Sequence, residues 1–200
     1  MSLRSRSRDP RPSGSTEEHG QLHTLESLPL ADKPATYAEL ARSLRALLDG
    51  EPDLVACAAN MAALLYWSLP DLNWAGFYLV EPRTGDLLLG PFQGKPGCVR
   101  IPIGKGVCGT AAGRRETVVV ADVHAFEGHI ACDSASTSEV VVPILDGGRL
   151  IGVLDLDSPV PARFDGDDAR GLEVLVQVFV AAIRGRSSGA SGRDAASTSL

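Results

Sequence analysis

An α+β fold, with a sheet of about six antiparallel strands and N- and C-terminal helices packed on one face, is predicted by three observations. Apolar residues recur at helical spacing near both ends of the chain, between about residues 36 and 68 and again after Asp165. Between these ends the period switches to short β-branched and aromatic runs. Those runs are joined by short Gly, Pro and Asp turns, which favour antiparallel neighbours over crossovers.

In chain order, residues 1–30 carry Arg4, Arg6, Arg8 and Arg11 among Ser, Pro and Gly, with no apolar face, and read as a disordered tail. Asp9, Pro10, Pro12, Glu17 and Glu18 interrupt the amphipathic helix an organellar leader would need. The domain proper is expected over residues 31–184, with a second disordered tail over 185–200. Thr36 and Glu39 form a capping box ahead of Tyr37, Leu40, Ala41, Leu44, Leu47 and Leu48, and Gly50 ends that helix. A second helix over residues 52–68 carries Leu54, Val55, Ala58, Met61, Ala62 and Leu65 on one side and closes before Pro70; Cys57 belongs to its core. Residues 74–80 and 86–90 form a hairpin around Pro82, Arg83, Thr84 and Gly85. Short strands follow at 99–103 and 117–120. Residues 139–145 and 149–157 are strong strands joined by a tight turn at Asp146, Gly147 and Gly148. Asp165 and Asp168 open the last helix, which runs through Leu172, Leu175, Val176, Phe179, Ala182 and Ile183 to Arg184.

Composition narrows the function. With 200 residues, 44% of them hydrophobic, the chain supports one core, and its net charge of −6 and pI near 5.2 provide no basic field for nucleic acid. No apolar run reaches the 18 or so residues of a membrane span. Four unevenly placed cysteines do not make a secreted disulfide framework, so a reducing, cytoplasmic compartment is expected.

Three of the four cysteines, Cys98, Cys108 and Cys132, fall in turn-rich segments between Pro91 and Glu139, where a thiol can be reached and react. None belongs to a CxxC pair, so no metal is expected, although Cys98, Cys108, His129 and Cys132 could converge on zinc through the fold. Asp155 and Asp157 leave one face of their strand, and the hairpin sets Asp157 beside Glu139. Close carboxylates raise the pKa of at least one of them, which can then deliver a proton near neutrality while the others bind a cationic amine. Trp74 and Tyr78, four apart on one face of a strand, can wall an apolar methyl and sulfur. A thiolate, a protonated carboxyl and an ammonium-binding acid suit reduction of a sulfoxide carried by an amino acid, leaving a sulfenic acid that a second cysteine condenses to a disulfide.

The runs NWAGFYL (73–79), LGPFQGKPGC (89–98), GVCGTA (106–111), DVHAFEGHIACDSASTSEVVVP (122–143) and GVLDLDS (152–158) resemble, in order, the signature segments of the free methionine-(R)-sulfoxide reductases, which are single GAF domains. The resemblance implies a GAF-like fold, with Cys132 as nucleophile, Cys98 as resolving partner and Cys108 as a third, catalytic or auxiliary thiol. It also implies that Glu139, Asp155 and Asp157 hold the substrate and supply the proton, and that Trp74 and Tyr78 form the aromatic cage. Ile130 and Ala131 would offer main-chain groups to the substrate carboxylate. Free methionine-(R)-sulfoxide as substrate, thioredoxin with NADPH as the external reducing system, no bound cofactor and a homodimer follow from the same resemblance. Gly97 stands where the family more often has alanine. A small-ligand-sensing GAF module and a thiol redox switch without turnover are the alternative readings of these residues.

Overall fold

In the computed structural model, which describes residues 32–128, 130 and 134–185, Asp32 starts the first helix. Its side chain accepts from the Ala35 N–H at 3.0 Å, and α1 (Lys33–Leu47) follows with Pro34 in its first turn. The expected capping box at Thr36 is therefore corrected. Thr36 lies inside the helix and bonds back to the Asp32 carbonyl at 3.0 Å, while Glu39 pairs with Arg42. An Asp cap followed by Pro is the stronger start, because it satisfies an orphan N–H and presets φ. Tyr37, Leu40, Ala41 and Leu44 face inward as expected, whereas Leu47 is exposed.

Asp53 caps α2 (Leu54–Ser68), which ends ahead of Pro70; Cys57 is fully buried on it, and Val55 faces solvent rather than the core. β1 (Trp74–Val80) and β2 (Leu87–Gly94) form the expected hairpin. β2 runs past the expected end at residue 90, however, because a bulge opposite Phe77 accommodates Gly90 and Pro91, and Pro91 has no N–H to give a ladder. β3 (Arg100–Ile101) and β4 (Val118–Val120) are short edge strands, β3 falling inside the expected 99–103. β5 (Ser138–Asp146) and β6 (Arg149–Ser158) meet at Gly147 and Gly148, both at positive φ as a two-residue hairpin turn requires. The sheet has six strands in the order β3-β2-β1-β6-β5-β4, every neighbour antiparallel.

Alternation along the strands makes two cores. Ala75, Phe77, Val140, Val142, Leu154 and Leu156 point to one face, where they pack with α1, α2 and α4 (Gly166–Arg184). Trp74, Tyr78, Val141 and Val153 point to the other. That second face is covered by a helix the sequence did not lead one to expect, α3 (Gly106–Arg114). Its nine residues hold three glycines, its N-cap Lys105 makes no side-chain capping bond, and Arg115 closes it in a left-handed conformation, so the residues read as loop.

The helical layer is pinned where α1 meets α4. The expected capping box at Asp165 and Asp168 is present, and the fully buried Asp168 also accepts from Tyr37 Oη at 2.9 Å, Arg163 Nη1 at 3.2 Å and Lys33 Nζ at 2.5 Å. Tyr37 lies against Gly171, where a Cβ would come within 2.1 Å of its ring. Among the described residues no helix is long and apolar enough to cross a membrane. The two expected tails lie outside the described residues, apart from Gly185.

Candidate active site

On the α3 side of the sheet, register brings together residues far apart in sequence. Trp74, Asp157 and Glu139 are successive partners across β1, β6 and β5, and Gly76, Asp155 and Val141 form the next row on the same face. Period-2 alternation then commits all three acids to one side, as their spacing predicted. Glu139 and Asp155 are each only 5% exposed, whereas Asp157 is half-buried at the outer end of the pair.

Cys108, in the first turn of α3, comes down onto these acids. Its thiol donates to Asp155 Oδ2 at 3.2 Å and lies 3.9 Å from Glu139 Oε1. The sequence suggested a loop cysteine; instead it is buried, on a helix, and in contact with the acids. Burial, followed by the charges of Asp155 and Glu139, pushes its pKa well up, so Cys108 sits as a thiol. Burial likewise raises Glu139 far above the ordinary carboxylate range, helped by the charges of Asp155 and Asp157. Asp155 is raised by burial to about 7, with hydrogen bonds from Cys108 and Glu139 opposing the shift. The cluster therefore retains a proton near neutral pH, and it can stabilise a cation that enters. Asp155 Oδ1 is buried with no hydrogen-bond partner, a cost that a donor on a bound molecule would relieve.

The aromatic wall stands beside the acids. Trp74 stacks on Tyr78 with ring centroids 5.7 Å apart and on Phe92 at 5.4 Å, and its indole N–H donates to the Lys95 carbonyl at 3.1 Å. Two glycines make the stack possible. A Cβ on Gly76 would meet Trp74 at 2.6 Å and Phe92 at 2.4 Å, so the indole lies across bare backbone. A Cβ on Gly97 would sit 3.0 Å from the Tyr78 hydroxyl. Phe92 and Gly76 were not singled out from the sequence, although a glycine inside a strand does flag a close approach.

Cys98 is half-buried and disulfide-bonded, while Cys57 and Cys108 are free. Ile130 packs in the α3-side core, and a Cβ on Gly106 would touch its side chain at 3.3 Å. Ala131, Cys132 and His129 lie outside the described residues. His124 is exposed on a 3₁₀ turn, Val123–Ala125.

Residues 34–183 match the GAF domain family. The chain is 54% identical, over 72% of its length and 87% of the relative's, to a free methionine-R-sulfoxide reductase of Escherichia coli strain K12. It belongs to the free methionine-R-sulfoxide reductase family of GAF domains. A second relative of that name, from Saccharomyces cerevisiae, is 43% identical over 74% of this chain and 86% of its own. Among solved structures, the free methionine-R-sulfoxide reductase of Neisseria meningitidis in complex with its substrate superposes with a TM-score of 0.77 at 45% identity, covering 82% of this chain and 96% of the other. The six-stranded antiparallel sheet and the helical layer expected from the sequence are those of this family's fold.

Proposed function

We propose that this protein reduces free L-methionine-(R)-S-oxide to L-methionine. The observation that carries the reading is the buried cluster of Cys108, Glu139 and Asp155 beside the Trp74 and Tyr78 wall, in a chain whose family includes a reductase solved with its substrate. An amino acid's ammonium suits the acids, and its methyl and sulfur suit the aromatic face.

In the proposed cycle the Cys132 thiolate attacks the sulfoxide sulfur while the acid cluster protonates the sulfoxide oxygen; that oxygen then passes as hydroxyl from the substrate sulfur to the cysteine sulfur, and the transient bond between the two sulfurs breaks. The sulfoxide sulfur gains two electrons and becomes a thioether; the cysteine sulfur loses two and becomes a sulfenic acid. The Cys98 thiol condenses with that sulfenic acid, expelling water and closing a disulfide. Cys98 is disulfide-bonded, which suits its role as the resolving thiol. An external dithiol, thioredoxin recharged from NADPH, then reopens the disulfide by exchange. No bound cofactor is needed, and a cytoplasmic compartment, where thiols stay reduced, suits the cycle. Ile130 and Ala131 would offer main-chain groups to the substrate carboxylate, Asp157 shares the amine with the inner acids, and Cys108 serves as their proton-bearing neighbour. The active form is a homodimer.

The ammonium does more than anchor. Its positive charge favours the ionised acids, so the proton held by Asp155 and Glu139 before substrate arrives becomes easier to deliver afterwards. In an assay with free methionine-(R)-sulfoxide, thioredoxin, its reductase and NADPH, wild type should consume NADPH and Cys132→Ser should not. A wild type that consumes none refutes the activity, and an unimpaired Cys132→Ser refutes the nucleophile.

A further inference from the structure

We propose that Cys108, Glu139 and Asp155 also bind a borderline-to-soft divalent cation, zinc or cadmium, in the place taken by the substrate's ammonium. Each of the three offers one ligand atom, all are buried, and the atoms lie within 4.8 Å of one another. In tetrahedral zinc, with bonds of about 2.3 Å to sulfur and about 2.0 Å to carboxylate oxygen, the sulfur and oxygen are about 3.5 Å apart. Here the Cys108 sulfur is 3.2 Å from Asp155 Oδ2 and 3.9 Å from Glu139 Oε1, on either side of that value.

A second, independent observation points to a ligand. Asp155 is 5% exposed, and its Oδ1 is buried without a hydrogen-bond partner beside this cluster. A cation held by the same carboxylate would satisfy that lone pair. Charge argues the same way, because a divalent cation that displaces the protons held by the Cys108 thiol and the carboxyls leaves a thiolate and two carboxylates, which two positive charges balance better than the single charge of an ammonium. Three protein donors leave a fourth position open for water, the arrangement of zinc sites that exchange ligands. No sequence spacing could betray the site, since its donors come from α3, β5 and β6, with β5 and β6 aligned by sheet register and Cys108 brought onto them by the packing of α3.

Cadmium is the probe, added to the full chain with the Cys98 disulfide intact, so that Cys98 cannot serve as a ligand. One cadmium ion per chain should bind with the ultraviolet charge-transfer band of a cadmium thiolate. The band should persist in Cys57→Ser, whose thiol lies in the core on the other side of the sheet, and vanish in Cys108→Ser. Asp155→Asn keeps the thiol and the side-chain volume, and should weaken binding at least about tenfold, as loss of even an outer partner of a metal ligand can. No band in wild type, a band that survives Cys108→Ser, or unchanged affinity in Asp155→Asn would each overturn the proposal. Only the shared position rests on the proposed function. Free methionine sulfoxide should bleach the band where equal glycine does not; a band through Cys108 that resists it upholds the metal site and sinks the assigned substrate position. NADPH turnover without any cadmium band does the reverse.

Discussion

Asp155 shows what the site costs. Its pKa of 3.8 when unburied rises to about 7, chiefly through burial, so the folded state holds a proton that the unfolded chain releases. For an acid shifted upward, the penalty is absent below pH 3.8, grows between pH 3.8 and about 7, and is complete above that. Asp155→Asn removes the charge while its amide oxygen can still accept from the Cys108 thiol. It should therefore raise Tm at pH 8 relative to wild type, have much less effect at pH 4, and lower kcat/KM for sulfoxide reduction by about 10² or more if the carboxyl delivers the proton. A Tm that falls at pH 8 would show that the buried charge is compensated. The acids were legible in the sequence because one hairpin turn and a period of two determine their register. Cys108 was misread because its helix has no cap signal, and Gly76 and Phe92 were missed because their role is purely steric.

Among the elements, α1 and α4 form the most exacting contact. Gly171→Ala drives a methyl into the Tyr37 ring at 2.1 Å, with no flexible chain end to yield, and Asp168→Ala strips the partner from a buried Arg163 and Tyr37. Each should cost about 3 kcal/mol or more in denaturant unfolding, by overpacking in one case and by leaving an uncompensated buried charge in the other. Near-wild-type stability in either variant would mean the helical layer can slide. The helices that carry this contact were readable because their caps and apolar stripes agree, apart from the start of α1, where Asp32 and Pro34 outcompete Thr36. β2 beyond residue 90 was hidden by Pro91, which reads as a strand stop but sits in a bulge. In each misreading a local signal was overruled by what the neighbouring element required.

For the molecule as a whole, the sheet separates two cores, one against α1, α2 and α4 and one against α3, and the proposed site lies in the second. Glu139 and Asp155 are buried there, and if the substrate's amine docks on them as proposed, a nitrogen that brings no charge leaves the carboxylates uncompensated. Methionine sulfoxide within a peptide, whose nitrogen is an uncharged amide, should therefore be turned over less efficiently than the free amino acid by a factor on the order of 10⁴, as expected when a buried polar group loses its partner. Equal kcat/KM for the two would refute the enclosed amine site.

The Gly147 and Gly148 turn closes the β5-β6 hairpin at the opposite end from Glu139 and Asp157, and the ten residues of β6 put roughly 30 Å of strand between them. It is a natural point of attachment. A fluorescent domain spliced between those two glycines would ride on the rigid centre of the sheet without reaching the thiols, and the fusion should keep the parent's KM; a raised KM would mean the far end of the hairpin senses its tip.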